Sequence, residues 1–179
     1  MAIKGRPAEA PGLLAQLDAI ARAAMPGVTT AAAMVLAAAP VGLPSLVPAV
    51  ALAGVFYWSL FRPGYMPAAA AFVLGLLQDL LGFAPLGIGV LSLLLVHAGA
   101  LRARPALVPR SLLLVWIAYL GVAVLAVGLG YLLQAVLGWA LPSPRSAAVQ
   151  LGLTAGLYPL LASLMSLLRR GLQRAESLA

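Results

Sequence analysis

From Pro63 to Leu101 the chain is apolar almost throughout, and Asp79 is the one charged side chain in the run. The run is too long for one membrane crossing, and Gly82-Phe83-Ala84-Pro85-Leu86-Gly87 breaks it near its middle with turn-forming residues. The pattern predicts two helical crossings joined outside the hydrocarbon, with a carboxylate near their junction. A charged side chain at the bilayer centre costs roughly 2.5–3.5 kcal/mol on insertion scales, so a retained one has a structural or functional cause.

The same apolar patterning divides the rest of the chain. Six segments emerge, approximately Val28–Leu43, Leu46–Phe61, Tyr65–Phe83, Pro85–Leu101, Ser111–Leu137 and Ala147–Leu168. The expected fold is all-α, a polytopic integral membrane helix bundle of about six transmembrane helices. The first two segments are short, because a helix of that length rises only about 24 Å against a hydrocarbon core about 30 Å thick. Pro40, Pro44 and Pro48 crowd their junction, so a shallow, kinked or partly re-entrant hairpin is expected there. The fifth segment is long and contains Gly121, Gly128 and Gly130; tilting accommodates its length.

Before the first segment, Leu13, Leu17, Ile20 and Ala24 recur at helical spacing opposite Gln16, Asp18 and Arg22. Either a short helix on the membrane surface or a soluble tail fits this pattern. Arg22, Asp18 and Glu9 sit in or beside that run, so a signal peptide is not expected. The resulting division is a cytoplasmic N-terminal segment over 1–27, a helix bundle over 28–168 and a basic cytoplasmic tail over 169–179.

Composition changes this picture little. The chain is 64% hydrophobic and 8% charged, against roughly 25% charged in an average soluble domain, so lipid must be the solvent for most of its surface. The net charge of +7 forms no dense basic stripe, which argues against nucleic acid as a partner. The cations instead set a topology. With both termini inside, Lys4, Arg6, Arg22, Arg62, Arg102, Arg104, Arg110, Arg169, Arg170 and Arg174 fall on the cytoplasmic side, and only Arg145 falls outside. Tyr57, Trp58, Phe61 and Tyr65 flank Arg62 as an inner aromatic belt, and Trp139 lies near the outer end of the fifth segment.

Asp79 has three readings: a buried hydrogen-bond acceptor or helix cap, a partner contact, or a site for a proton, cation or substrate. Gly75, Gln78, Asp79 and Gly82 share one helical strip, where small residues allow a partner helix to cover the acid. Pro85 and Gly87 fit a tight turn leading into the fourth helix. His97, the only histidine, lies on the returning helix at a different depth from Asp79 and suits interhelical packing or hydrogen bonding. Gly152 and Gly156 form a GxxxG spacing that offers a packing groove, with Tyr158 beside it and Pro159 positioned to bend the sixth helix. Packing inside the bundle and association with another membrane protein are both open for that groove.

No catalytic or metal constellation follows from the residues. The serines lack a His/Asp arrangement for acyl transfer, there are no cysteines, and four acidic residues leave no paired carboxylates in the core. A non-enzymatic protein without cofactor or metal is expected. The alternative is a substrate-binding or transport subunit for a small molecule. That alternative requires a polar cavity approached from outside, near Gln78, Asp79, Gln134 or Gln150.

Tyr57-Trp58-Ser59-Leu60-Phe61-Arg62-Pro63, then Gly75-Leu76-Leu77-Gln78-Asp79-Leu80-Leu81 and Pro85-Leu86-Gly87, resemble the bacterial rod shape-determining MreD family. Tyr158-Pro159 and the basic C-terminus also fit, and the resemblance covers roughly residues 25–175. Phe83-Ala84 departs from it by filling a turn where small or polar residues are expected. The resemblance implies a multi-pass protein of the cytoplasmic (inner) membrane in the peptidoglycan elongation machinery. It further implies association with MreC and a wider complex with MreB, RodA and an elongation transpeptidase. It implies a fold similar to the substrate-binding membrane subunits of energy-coupling-factor vitamin transporters. Arg62, Pro63 and the stretch from Asp79 to Gly87 carry over as family positions with structural rather than catalytic roles.

Overall fold

A computed structural model describes residues 13–39, 45–82, 85–108, 111–138 and 143–177, with side-chain surroundings between residues 20 and 167. Pro40, Pro44, Phe83, Ala84, Arg110 and Trp139 lie outside the described residues, as do Lys4 and Arg6. The side chains of Arg169, Arg170 and Arg174 lie outside them too. Six α-helices occur among the described residues: α1 (Leu13–Ala37), α2 (Leu46–Phe61), α3 (Ala68–Gly82), α4 (Ile88–Leu107), α5 (Leu112–Gly138) and α6 (Pro144–Ser177). A short 3-10 turn, Pro63–Tyr65, links α2 to α3. Four of the helices are long and apolar enough to cross a membrane, over Ile20–Ala37, Ile88–Leu107, Leu112–Gly138 and Pro144–Leu167. The apolar α2 and α3 are shorter.

The second apolar segment matches α2 in bounds and length but leaves its place in the bundle open. This helix runs through the middle of the bundle and packs against every other helix. Each residue from Ala49 to Leu60 is buried, including Phe56, Trp58 and Ser59. A helix buried on all sides is one surrounded by the rest of the bundle. It is therefore the central helix of the bundle. The bundle's outer face is apolar as well: Leu113, Ile117, Val124, Leu125 and Leu132 of α5 are all exposed. Only lipid can solvate such a face without penalty.

Three boundaries differ from those drawn on apolarity alone. The helix beginning at Leu13 continues through Pro26 to Ala37, so the amphipathic stretch and the first apolar segment form one rod. Pro26 removes one backbone donor from α1. Near this break the hydroxyls of Thr29 and Thr30 donate to the Pro26 carbonyl, at 3.1 and 2.8 Å. Helix α4 extends past Leu101 through Arg102 and Arg104, which makes these helical rather than loop cations. Helix α6 likewise continues beyond Leu168 to Ser177.

The direction of the helices sorts the arginines. Arg104 Nε donates to the Leu60 carbonyl at 3.0 Å, so the C-terminal ends of α2 and α4 lie side by side. A guanidinium there meets carbonyls that have no partner within the helix, at the negative end of the helix dipole. Arg62, the residue after α2, lies over the Tyr65 ring at 5.4 Å from its centre to the guanidinium carbon. Arg145 stands instead at the N-terminus of α6, the opposite end of the bundle.

Close contact between α1 and α2 rests on a missing side chain. A Cβ added at Gly54 would stand 2.6 Å from Thr30 Cγ2 and 2.8 Å from its Oγ1. Gly54→Ala is expected to destabilise the fold by about 1–3 kcal/mol, the range for overpacking a filled core. Thr30→Ala in the same chain should recover much of that loss, and non-additivity between the two substitutions in detergent unfolding checks the contact.

Candidate functional site

The turn between α3 and α4 is built around Asp79. Its side chain is 2% exposed, and both carboxylate oxygens are engaged. Gly87 N–H donates to Oδ2 at 2.7 Å and Gly89 N–H donates to Oδ1 at 2.7 Å. The acid thus reaches from the last turn of α3 to the first residues of α4, where backbone donors have no partner within the helix. The positive end of the α4 dipole favours a carboxylate at that point. Of the three readings of Asp79, this geometry builds the hydrogen-bond acceptor and cap.

The local backbone explains why glycines flank it. Gly87 has φ 103°, the left-handed region that glycine adopts without penalty. It occupies the third place of a four-residue turn in which Ile88 N–H approaches the Pro85 carbonyl at 3.4 Å. A type II turn reserves that place for a residue of positive φ. Pro85 therefore opens the turn and stands before the helix, whose first residue is Ile88. Gly89 then lies against Gly75: a Cβ at Gly75 would stand 2.5 Å from Val90 Cα, and one at Gly89 would stand 2.9 Å from Gly75 O. The strip of Gly75, Gln78 and Asp79 thus faces α4. Gly82 ends α3, and among the described residues a Cβ there would meet nothing within 4 Å.

Beside the Asp79 cap lies a cavity of about 270 Å³. The ends of α2 to α6 surround it, on the Arg145 side of the bundle. Gln78, Asp79, Gln134 and Gln150 all line it, the four positions at which the small-molecule alternative required a polar cavity. Ser45, Ser92, Tyr131 and Ser146 add hydroxyl groups. Ser92 is buried and approaches the Ala126 carbonyl at 3.4 Å. The Gln78 Oε1 is buried with no hydrogen-bond partner among the described residues.

A second hollow, of about 380 Å³, is apolar and lies on the arginine side between α2, α5 and α6. Tyr57, Phe61, Leu112 and Trp116 line it together with Tyr158 and Pro159. Behind it Tyr158 stacks on Tyr119, with ring centres 4.0 Å apart, and Phe56 meets both rings edge-on. Nothing in the segment pattern brings these three rings together, since each lies on a different apolar helix. Trp116 Nε1 donates to the Ala155 carbonyl at 3.2 Å and ties α5 to α6.

His97 meets Ser59, with Nδ1 2.8 Å from the hydroxyl, so it joins α4 to α2. Along α4 it stands about 12 Å from Gly89 at 1.5 Å per residue, which separates it from the Asp79 cap. Gly152 and Gly156 do not pack inside the bundle. Both are exposed on the outer face of α6, and among the described residues a Cβ at either would meet nothing within 4 Å. Among the described residues no three His, Asp or Glu side chains stand together as metal ligands.

A family model described as rod shape-determining protein MreD matches residues 23–168. Neither the curated proteins nor the solved structures compared with the chain give a match.

Proposed function

The chain belongs to the MreD family of rod shape-determining proteins, and on that premise we propose that it is a non-enzymatic scaffold of the peptidoglycan elongation machinery in the cytoplasmic membrane. In this reading it binds MreC within the bilayer and through it joins MreB, RodA and an elongation transpeptidase. Residues 28–168 form the bundle, with α2 and α3 completing six crossings. The residues before Ile20 and those over 169–179 belong to the cytoplasmic side in this reading, as do Arg62, Arg102 and Arg104. The positive-inside bias supports this orientation. The six helices and the polar cavity at one end fit the kinship expected with substrate-binding subunits of energy-coupling-factor transporters.

One observation carries the scaffold reading: the GxxxG face of α6 points away from the bundle, and none of the described residues packs on it. Helices associate in lipid through close backbone approach rather than hydrophobic exclusion, and small residues permit it. A partner's membrane helix laid along Gly152 and Gly156 would reach Pro159 and the apolar hollow beside Tyr158.

Gly152→Leu with Gly156→Leu tests this directly. Leucine is a better helix former than glycine by about 1 kcal/mol, and the face is open, so folding in detergent should be unchanged or improved. Crosslinking from α6 to the membrane helix of MreC should fall at least fivefold, and rod shape should fail to recover in cells lacking the native protein. Undiminished crosslinking and normal rods would remove α6 as the partner-facing surface.

A further inference from the structure

We infer that the cavity beside Asp79 is a binding site for a small neutral molecule rich in hydroxyl or amide groups, about the size of one sugar ring. The first ground is where the chain spends its polar side chains. Between residues 20 and 167 it has three glutamines and no asparagine, and all three glutamines line this one cavity. They come from three different helices: Gln78 from α3, Gln134 from α5 and Gln150 from α6. Chance placement in an apolar bundle does not gather them, and each costs free energy in lipid unless it faces a polar space.

Size and unspent bonding capacity are the second ground. A space of about 270 Å³ equals about nine water molecules at ~30 Å³ each, more than any single side chain of the wall requires. The Gln78 Oε1 has no partner among the described residues, although an amide oxygen readily accepts two bonds. Leaving such a group unsatisfied is costly, and a water or a ligand group in the cavity relieves it once the amide turns.

The third ground fixes the chemical class. Among the described residues no lysine or arginine lines the space, and Asp79 already answers the positive end of α4, so the wall offers an anion no cationic side chain. Asp79 is the one ionic group, and both its oxygens already accept backbone N–H bonds. The remaining polar groups are amides and hydroxyls, each able to donate and accept. Gln134 is exposed at the rim, whereas Ser92 and Asp79 form the buried floor, so a ligand would meet polar groups along its whole depth. Leu52, Ile88 and Val127 supply apolar walls against which a ring can lie. This mixture of apolar walls and a few convergent polar groups is that of small-molecule sites.

The inference goes beyond the scaffold role, and its test needs no partner protein. The chain has no cysteine, so Ala147→Cys places a single thiol in the cavity wall without removing a polar group, and Leu86→Cys places one on the exposed turn. Reaction of the purified full-length protein with a small water-soluble maleimide is followed with glucose or N-acetylglucosamine at tens of millimolar. Succinate and tetramethylammonium serve as charged comparisons. At least one neutral probe should slow Ala147→Cys labelling threefold or more, with Leu86→Cys unaffected and the charged probes without effect. The same neutral probe should raise the unfolding temperature of the unsubstituted protein, a readout independent of whether the cysteine variant folds. Equal protection by all four probes, protection by the charged ones, or a cavity holding water only, with no protection and no thermal shift, would overturn the inference.

Discussion

Asp79→Ala is expected to open the α3–α4 turn and to lower stability by roughly 2–5 kcal/mol. The substitution strips the acceptor from Gly87 N–H and Gly89 N–H together, and a buried donor left unmade costs about 1–3 kcal/mol. Two such donors at the start of a membrane-embedded helix set the upper part of the range. Water entering from the adjoining cavity can rehydrate Gly89 N–H, which sets the lower part. Asp79→Asn should fall between wild type and Asp79→Ala. Its amide oxygen can hold one of the two donors, but its NH₂ opposes the other and the charge facing the helix dipole is gone. Equilibrium unfolding in mixed micelles gives the order, and maleimide labelling of a cysteine at Leu86 reports opening of the turn. If both variants unfold with wild-type profiles while rod shape is lost, Asp79 acts in chemistry or partner binding and the cap is incidental.

That turn was legible in the sequence because everything about it is local. Gly-Phe-Ala-Pro-Leu-Gly interrupts an apolar run, and one acid lies eight residues before the glycine that needs positive φ. The cavity was legible in part, since Gln78, Asp79, Gln134 and Gln150 are polar side chains in apolar segments and lipid drives such groups inward. Ser45, Ser92 and Ser146 carried no such signal because serines in membrane helices commonly bond to their own backbone, and Tyr131 because tyrosine packs equally well in an apolar core. The central place of α2 was not legible at all. In water, the polar face of a helix betrays its outer side, but lipid is as apolar as a packed core and removes that contrast. For the same reason GxxxG at Gly152 and Gly156 showed that a groove exists without showing which side it faces. Proline weakens a helix without always ending it, and α1 continues across Pro26, so the first apolar segment, drawn from Val28, starts well inside that helix.

Substitution of Gly75 gives the other large effect, and its sign separates packing from helix propensity. Glycine to alanine inside a helix gains about 1 kcal/mol from propensity alone. At Gly121 and Gly128 a Cβ would meet nothing within 4 Å among the described residues, so Gly121→Ala and Gly128→Ala should stabilise α5 by up to that amount. At Gly75 the same methyl group would stand 2.5 Å from Val90 Cα and 2.8 Å from Val90 N. These are backbone atoms and cannot rotate aside, so α3 and α4 must part. Gly75→Ala is therefore expected to cost about 1–3 kcal/mol net, and Gly75→Val more, with a large share of the protein failing to fold. Parting the helices also stretches the Asp79 bonds to Gly87 and Gly89, which places the two substitutions in one cooperative unit. Gly75→Ala combined with Asp79→Ala should then cost clearly less than the sum of the two alone. Strict additivity, or a Gly75→Ala protein as stable as Gly121→Ala, would mean that α3 and α4 do not approach as closely as the Asp79 cap requires.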